Sequence, residues 1–427
     1  MNLRSFLPST VLAVSLFLVL TWTARGAVSL GIDELEQSNF SALAGKRVGL
    51  VTNPSGADSR GRSAISVLYH GQSAGYKLVK LFGPEHGIDG LTGAGQSVSG
   101  GRDRSTGLRV CSLYGDTRRP TPEMLEGIDT LVYDVQDLGN RSYTFISTLG
   151  YVMDEAAKHN IQVIVLDRPN PLGGVRIEGP RLDSSFTPSF VGLYDIPYVY
   201  GLTPGELALW INAKYLARPC RLSIISMKGW IRPMVWEDTG LKWIPTSPNI
   251  PTISAARGYT ATGFLGEIGI ETGCGGPNAF VVVQSRDVNS GEMAQRFNAL
   301  HVPGVHARSL DSGRESGVYL QIDPRNAGNL TAINFEAIDI LEDIADGFSP
   351  FGHASYDQRD MFDKISGNTL IRRQLISGRR VQDIVHSWDS GVARWAVERQ
   401  PYLIYGLTPA HPAKAPSIIA DNTLVTP

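Results

Sequence analysis

The first half of the chain alternates long apolar runs with amphipathic segments. Apolar residues recur three or four positions apart at 63–75 and 143–160, which predicts helices there. Four runs rich in Val, Ile and Leu predict β-strands, at residues 47–53, 76–85, 128–137 and 161–170. Strands that are apolar along their whole length are typical of a parallel sheet buried on both faces. The pattern therefore predicts a doubly wound α/β domain.

The second half of the chain points to a further domain. Glycines predict a long loop at 87–107, and prolines and glycines predict irregular loops over 228–280. Helices are predicted at 205–217, 291–300, 335–346, 357–378 and 380–398, and strands at 221–227, 280–285 and 317–323. The 427 residues exceed what one hydrophobic core usually serves. We expect a Rossmann-like, mostly parallel catalytic domain over 27–285, a smaller α+β C-terminal domain over 286–407, and a tail over 408–427.

Residues 1–26 have the pattern of a secretory signal peptide. Arg4 precedes an apolar segment at 11–20, and the small residues Ala24, Gly26 and Ala27 follow it. The apolar segment is short for a membrane span, which disfavours an uncleaved anchor. We therefore expect a periplasmic or secreted protein with no stable membrane insertion after the signal is removed.

Polar residues follow each of the four predicted strands at its C-terminal end. They are Asn53 after the first strand, Glu85 and His86 after the second, Asp134 and Asp137 in the third, and Asp167, Arg168 and Asn170 in the fourth. Carboxyl ends of parallel strands lie at one edge of an open sheet, where ligands bind. A lone Glu-His pair is more often a solvated turn, but a solvated turn does not explain four such strand ends. The sequence therefore predicts a polar cleft at this edge.

Composition and motifs narrow the chemistry of this cleft. No G-x-G-x-x-G follows the first strand and no P-loop lysine motif occurs, so a bound nucleotide cofactor is not expected. A formal net charge of −2 disfavours nucleic acid as a partner. The three cysteines form neither a disulfide framework nor a zinc pattern. Carboxylates around a cleft fit glycoside hydrolysis or another acid–base hydrolysis, and a metal-dependent hydrolase using His86 stays open.

Several motifs resemble those of one known family, both in their sequences and in their order along the chain. They are LFGPEHG, YDVQDLGNRSYTFISTLG, VLDRPNPLGG, EGPRLD, SFVGLYDIPYVYGLTPGELA, WIPTSPNIPT and, near the C-terminus, VQDIVHSWDSGVARWAVERQPYLIY. The chain resembles the bacterial exo-β-N-acetylmuramidases, long known only as a domain of unknown function, over roughly residues 30–405. The resemblance implies a glycosidase that removes β-linked N-acetylmuramic acid from the non-reducing end of peptidoglycan fragments. It also implies a Rossmann-like domain, a smaller second domain, a cleft between them, and no cofactor.

The resemblance assigns the catalytic glutamate to Glu85, with His86 beside it. We expect Asp137 to be the second acid–base partner or to hold the 2-acetamido group, the alternative being a helix cap. Arg141 and Arg168 are candidates for the lactyl carboxylate of the sugar, because arginine binds carboxylates with two parallel hydrogen bonds. For either arginine the alternative is an ion pair with Asp134 or Asp167. The other candidates for substrate binding are Asn53, Asp134, Tyr143, Asp167, Asn170, Ser247 and Asn249.

Two segments depart from the family pattern. Tyr200 stands where the family usually has histidine, and the loop at 265–280 has lost the family's arginine while Glu267, Glu271 and Cys274 lie within it. These changes leave open a non-catalytic protein that captures muropeptides or other glycans. The resemblance predicts peptidoglycan-derived sugars or muropeptides as partners.

Overall fold

A computed structural model describes residues 28–408, except positions 184, 185, 187, 313, 314, 346 and 350. The predicted signal peptide, and the predicted tail beyond its first residue, lie outside the described residues. Within the described part of the chain, no helix is both long enough and apolar enough to cross a membrane.

A seven-stranded sheet forms the first domain. Its strands are β1 (Arg47–Thr52), β2 (Lys77–Gly83), β3 (Gly101–Arg102), β4 (Arg109–Ser112), β5 (Thr130–Asp134), β6 (Gln162–Leu166) and β7 (Arg221–Ile225). Their spatial order is β3-β4-β2-β1-β5-β6-β7, and every neighbouring pair is parallel except β3 with β4. The helices of this domain are α1 (Gly31–Gln37), α2 (Ala64–His70), α3 (Pro122–Leu125), α4 (Phe145–Lys158) and α5 (Pro204–Lys214). The structure confirms the predicted α/β class.

The strand order places a crevice beside β1. The chain leaves β1 toward β2 on one side and later returns to β5 on the other. Such a reversal of strand order opens a crevice at the carboxyl ends of the strands, where α/β proteins bind ligands. The segments that follow β1, β2 and β5 therefore share this crevice.

Burial on both faces of the sheet explains the continuous apolar runs. Within β5, Leu131 and Tyr133 pack into one hydrophobic core, while the intervening Val132 packs into another on the opposite face. All three side chains are at most 1% exposed. Alternate residues of a strand point to opposite faces, so a strand covered on both faces must be apolar throughout.

The smaller C-terminal domain has its own sheet. Strands β8 (Val282–Arg286), β9 (Val305–Ser312) and β10 (Glu315–Ile322) pair antiparallel in the order β8-β10-β9. The helices are α6 (Ile253–Thr262), α7 (Ser290–Ala299), α8 (Leu330–Ile344), α9 (Tyr356–Ser366), α10 (Leu370–Ile376), α11 (Val381–His386) and α12 (Asp389–Glu398). Phe264 and Leu265, which precede the predicted boundary at 285, are buried in the core of this domain.

The local structure departs from the predictions at four places. The irregular region predicted at 228–280 contains α6, and β9 was not predicted. The predicted helices at 357–378 and 380–398 are each divided into two. The first of these breaks is at Gly367, whose φ of +86° lies in the left-handed region that favours glycine and ends α9. The predicted loop at 87–107 contains the short strand β3.

Candidate active site

Glu85 lies in the turn that follows β2. Its Oε1 accepts a hydrogen bond from the Gly95 N–H at 2.8 Å, and its Oε2 accepts one from the Thr144 hydroxyl at 2.5 Å. Thr144 directly precedes α4, so the carboxylate faces the N-terminus of that helix, where the helix dipole favours negative charge. The side chain is 7% exposed. Two neutral donors and a helix terminus thus hold a nearly buried carboxylate at the carboxyl edge of the sheet.

His86 shapes the turn that carries Glu85. Its Nδ1 lies 2.8 Å from the Thr92 carbonyl oxygen, and its ring meets Phe145 edge-on. Its φ of +71° is left-handed, a costly conformation for a residue with a side chain, and such strain gathers at functional sites. The contacts of His86 within the described residues are those of a bracing residue, and its predicted catalytic role stays a prediction.

Asp137 is the second candidate carboxylate. Its Oδ2 accepts hydrogen bonds from the Gly139 N–H at 2.6 Å and from the Tyr200 hydroxyl. Its Oδ1 is buried and has no hydrogen-bond partner among the described residues. Burial raises the pKa of Asp137 to about 6, although the Tyr200 hydrogen bond opposes the shift. Tyr200, the residue that departs from the family pattern, is thus a direct partner of this carboxylate.

Tyr143 is influenced by both carboxylates. Burial raises its pKa well above the usual value, and the charges of Asp137 and Glu85 both add to this shift. Its hydroxyl donates to Thr246 Oγ1 at 2.7 Å, and Ser247 also hydrogen-bonds to it. The described structure therefore brings these two carboxylates and the segment after residue 245 to a single aromatic ring.

The segment at 246–249 closes the crevice above β1. The Asn53 side-chain amide donates to the Thr246 carbonyl at 3.2 Å, and its Oδ1 accepts from both the N–H and the hydroxyl of Ser55. Asn249 is half-buried in the same segment. Asn53 and Ser247 are therefore at the predicted edge, and their contact with a sugar remains a prediction.

Two of the predicted substrate ligands form a buried ion pair instead. Arg168 donates from Nε to Asp134 Oδ1 at 2.6 Å and from a terminal nitrogen to Asp134 Oδ2 at 2.8 Å. It also donates to the Ala57 carbonyl at 2.7 Å. Both side chains are at most 4% exposed. These contacts are those of the ion pair that the sequence offered as the alternative, and substrate binding by Arg168 and Asp134 stays a prediction.

The side chain of Arg141 also makes its hydrogen bonds within the fold. The Arg141 guanidinium is fully buried and donates to the carbonyls of Pro180, Ile196 and Ile365, the last of which lies in the C-terminal domain. Burial lowers the pKa of Arg141 to about 10. The terminal nitrogens of Arg141 thus hold backbone oxygens, and its role at the lactyl carboxylate stays a prediction.

Asp167 and Asn170 tie together the segments around β6. Asp167 accepts hydrogen bonds from the Gly205 N–H at 2.8 Å, the Thr203 hydroxyl at 2.8 Å and the Tyr405 hydroxyl at 2.6 Å. Burial raises its pKa to about 6. Asn170 donates to the Leu202 carbonyl and accepts from the Leu172 N–H, both at 2.9 Å. Both side chains make structural contacts within the fold, and their roles as sugar ligands stay predictions.

The prediction missed the groups that contact Glu85 directly. Gly95 and Thr144 hold its carboxylate, and Tyr114 lies beside it. Tyr114 follows β4, where the apolar run LRVCSL gives way to YGDTRR. The same strand-end pattern that indicated Glu85 was present here, but the short run was not predicted as a strand.

The altered loop at 265–280 reaches the same neighbourhood. Burial raises the pKa of Glu267, and its charge contributes to the raised pKa of Tyr259. Tyr259 in turn lies 2.9 Å from the Ser142 hydroxyl and packs edge-on against Tyr143. Glu271 accepts from the Gly273 N–H, and Cys274 is exposed.

Two cavities in the described part of the structure have linings that do not include Glu85. One, of about 210 Å³, lies beside the small sheet and is lined by polar residues that include Arg257 and Arg308 but no carboxylate. The other, of about 100 Å³, is lined by Ser55, Gln136 and Arg168 among others, close to the carboxyl ends of β1 and β5. Acid–base chemistry needs a proton donor, so we assign the site to the carboxylates. Within the described residues, no group of three or more His, Cys, Asp or Glu side chains could hold a metal ion.

Comparison with known proteins gives the family. A family profile described as "Exo-beta-N-acetylmuramidase NamZ, N-terminal" matches residues 48–254, and the corresponding C-terminal profile matches residues 257–405. The chain is 38% identical over 388 residues to the protein named peptidoglycan beta-N-acetylmuramidase NamZ of Bacillus subtilis (strain 168). That alignment covers 88% of this chain and 91% of the relative.

Solved structures agree with this assignment. A DUF1343 family protein (BF0371) of Bacteroides fragilis NCTC 9343 superposes with a TM-score of 0.83 at 41% identity, covering 90% of this chain and all of that chain. A second DUF1343 family protein (BF0379) of that organism, 24% identical, shares the fold with a TM-score of 0.67 over 89% of this chain and 99% of its own. The two profiles and the relative at 38% identity span most of the sequence, and the chain therefore belongs to the exo-β-N-acetylmuramidase NamZ family of glycosidases.

Proposed function

We propose that this protein is a secreted, exo-acting glycoside hydrolase that releases β-linked N-acetylmuramic acid from the non-reducing end of peptidoglycan fragments. The name of the Bacillus subtilis relative supports peptidoglycan as the substrate. The observation that carries the proposal is the Glu85 carboxylate, held by Gly95 and Thr144 at the ligand-binding edge of the sheet. Secretion rests on the signal-peptide pattern of residues 1–26.

Glu85 acts as the general acid and then as the general base in this proposal. It protonates the glycosidic oxygen as the bond to the sugar carbon breaks, and afterwards takes a proton from the attacking water. The Thr144 hydroxyl suits both steps, because a hydroxyl can donate to a carboxylate and accept from a carboxylic acid. The Gly95 N–H fixes the other oxygen, so the carboxyl group keeps one orientation throughout.

Asp137 serves the sugar ring rather than the leaving group. Its unpartnered Oδ1 is a free acceptor within the described structure, which suits the N–H of a 2-acetamido group. Its other oxygen is fixed by Gly139 and Tyr200, so the free oxygen has a defined direction. An acetamido group held in this way can assist departure of the leaving group, as in the substrate-assisted glycosidases.

The test is turnover by wild type and by Glu85→Gln. The variant keeps the size and hydrogen bonding of the side chain but cannot supply a proton at neutral pH. General acid–base catalysis contributes roughly 10²–10⁴-fold, so kcat on a natural disaccharide should fall by about that factor while the fold is retained. On a nitrophenyl β-N-acetylmuraminide the loss should be smaller, because nitrophenolate leaves without full protonation.

Three outcomes would contradict the proposal. A folded Glu85→Gln variant that hydrolyses the disaccharide within a few-fold of wild type would remove Glu85 from the chemistry. Wild type that binds the disaccharide without hydrolysing it would favour a non-catalytic glycan-binding protein. Activity that disappears after chelation and returns with a divalent metal would favour the metal-dependent hydrolase.

A further inference from the structure

Arg118 is held next to the candidate acid by two aromatic rings. Its guanidinium carbon lies 4.9 Å from the centre of the Tyr114 ring and 4.5 Å from that of the Phe190 ring. Both rings are buried, whereas Arg118 itself is exposed. Contact with ring faces orients the planar guanidinium, and its hydrogen bond to Tyr114 leaves further N–H donors at its edge for a ligand.

Tyr114 connects this guanidinium to Glu85. Burial raises the pKa of Tyr114 to about 12, with the charge of Glu85 adding to the shift and the charge of Arg118 opposing it. Both charged side chains also hydrogen-bond to Tyr114. Arg118 and Glu85 are therefore both partners of one phenol.

The neighbouring Arg119 shows what distinguishes Arg118. Arg119 donates to Asp154 at 2.6 Å and to Glu155 at 3.0 Å, and it lies over the Tyr151 ring. Among the described residues, no carboxylate forms an ion pair with Arg118. Its positive charge is therefore available to an external anion beside Glu85.

We propose that Arg118 binds the lactyl carboxylate of N-acetylmuramic acid and thereby sets the preference for muraminides over glucosaminides. This inference rests on the proposed function. The lactyl ether is carried on C3 of the sugar, separated by C2 from the C1 atom whose bond breaks, so its receptor must lie near the acid without touching it. Arg118 lies against the Tyr114 ring, and Glu85 hydrogen-bonds to the same tyrosine, which meets this requirement. The guanidinium fork binds a carboxylate with two parallel hydrogen bonds, whereas a glucosaminide offers only a neutral hydroxyl there.

The experiment measures kcat/KM for wild type, Arg118→Ala and the matched control Arg119→Ala on three nitrophenyl β-glycosides. These are the N-acetylmuraminide, the same sugar with its lactyl carboxyl converted to an amide, and the N-acetylglucosaminide. A charged hydrogen-bonded contact is worth about 10- to 100-fold, so Arg118→Ala should lose about that factor on the muraminide. It should stay within a few-fold of wild type on the amide and the glucosaminide, because neither offers a carboxylate. Arg119→Ala should keep the wild-type ratio of the three sugars.

The amide completes a cycle that separates recognition from structure. Amidation of the sugar should lower kcat/KM of wild type by the same factor by which Arg118→Ala lowers it on the charged sugar. Amidation should change kcat/KM of the variant very little. Equal losses of kcat/KM by Arg118→Ala on all three sugars would mean that Arg118 only positions Tyr114 and Glu85, and would overturn the inference. No loss on any of the sugars would overturn it as well. If wild type hydrolyses neither the muraminide nor the glucosaminide, the proposed function itself fails and the inference falls with it.

Discussion

Replacing Arg168 with alanine tests whether the end of β6 stabilises the fold or binds substrate. The side chains of Arg168 and Asp134 are 4% and 0% exposed, and two hydrogen bonds of 2.6 and 2.8 Å join them. Removing one partner of such a buried pair leaves an uncompensated charge and typically costs about 3–5 kcal/mol. We expect Arg168→Ala to lower the free energy of unfolding by about that amount.

The loss should depend on pH in a defined direction. Burial raises the pKa of Asp134 even in wild type, although Arg168 opposes the shift. Without Arg168 the pKa rises further, so the folded variant binds a proton more tightly than its unfolded chain does. The stability that the variant gains from protonated Asp134 is fully present below the pKa of the unfolded chain and is lost as pH rises through the pKa of the folded state. The deficit of the variant should therefore be smallest in acid and grow toward neutral pH.

The assay is urea unfolding at several pH values, followed by tryptophan fluorescence. Arg325→Ala is the matched control, because Arg325 also binds an aspartate, Asp238, through two nitrogens at 3.0 and 2.8 Å but is 50% exposed. An exposed ion pair contributes about 0–1 kcal/mol, so Arg325→Ala should barely change the free energy of unfolding. The double variant Asp134→Leu, Arg168→Met should recover most of the lost stability.

The reasoning fails if Arg168→Ala unfolds within about 1 kcal/mol of wild type at neutral pH, well below the cost of a broken buried pair. It also fails if the deficit does not change with pH. An unchanged stability together with a raised KM for the muraminide would return Arg168 to the substrate site.

Two further predictions concern Asp137 and the N-terminus. The pKa of Asp137, about 6 in the fold against 3.8 ordinarily, gives stability that is present below pH 4 and lost as pH rises through 6, amounting to about 3 kcal/mol. Asp137→Asn should flatten the pH dependence of unfolding over that interval; an unchanged profile would place the titration elsewhere. The mature protein recovered from periplasm or medium should begin near Ala27 or Val28 by mass spectrometry, and a membrane-held chain starting at Met1 would contradict the signal peptide.

The sheet could be predicted because burial on both faces leaves a strong trace in sequence. Each of the four predicted strands corresponds to a strand of the structure, from β1 to β6. The shorter strand β4 was not predicted, because it has only four residues and its sequence, RVCS, does not differ clearly from that of a loop. Because β4 was not predicted, Tyr114 and Arg118, which lie just beyond its end, were not predicted as site residues either. Tertiary packing, which α6 obtains from α8 and the small sheet, is likewise invisible to local patterns.

The strand-end rule indicated an edge but did not separate its residues by role. Asp134 and Arg168 have complementary charges at neighbouring strand ends, and the sequence permits either a pair or two ligands. The choice depends on whether a second charge comes within hydrogen-bonding distance in the fold. Arg141 is a similar case, because its partners are backbone carbonyls as far along the chain as Ile365, which no side-chain pattern reveals.

Hydrogen-bond partners give the physical distinction between the carboxylates at this edge. Asp134 is held by a cation, which opposes uptake of a proton, and Asp167 has both oxygens occupied by hydroxyl and N–H donors. Asp137 keeps one oxygen without a partner in the described structure, and Glu85 is held by an N–H and by the hydroxyls of Thr144 and Tyr114, which can donate or accept. A group that must exchange a proton or receive a substrate N–H needs this freedom. Of these four carboxylates, the two that have it both add to the raised pKa of Tyr143, and we therefore propose that the chemistry takes place beside that ring.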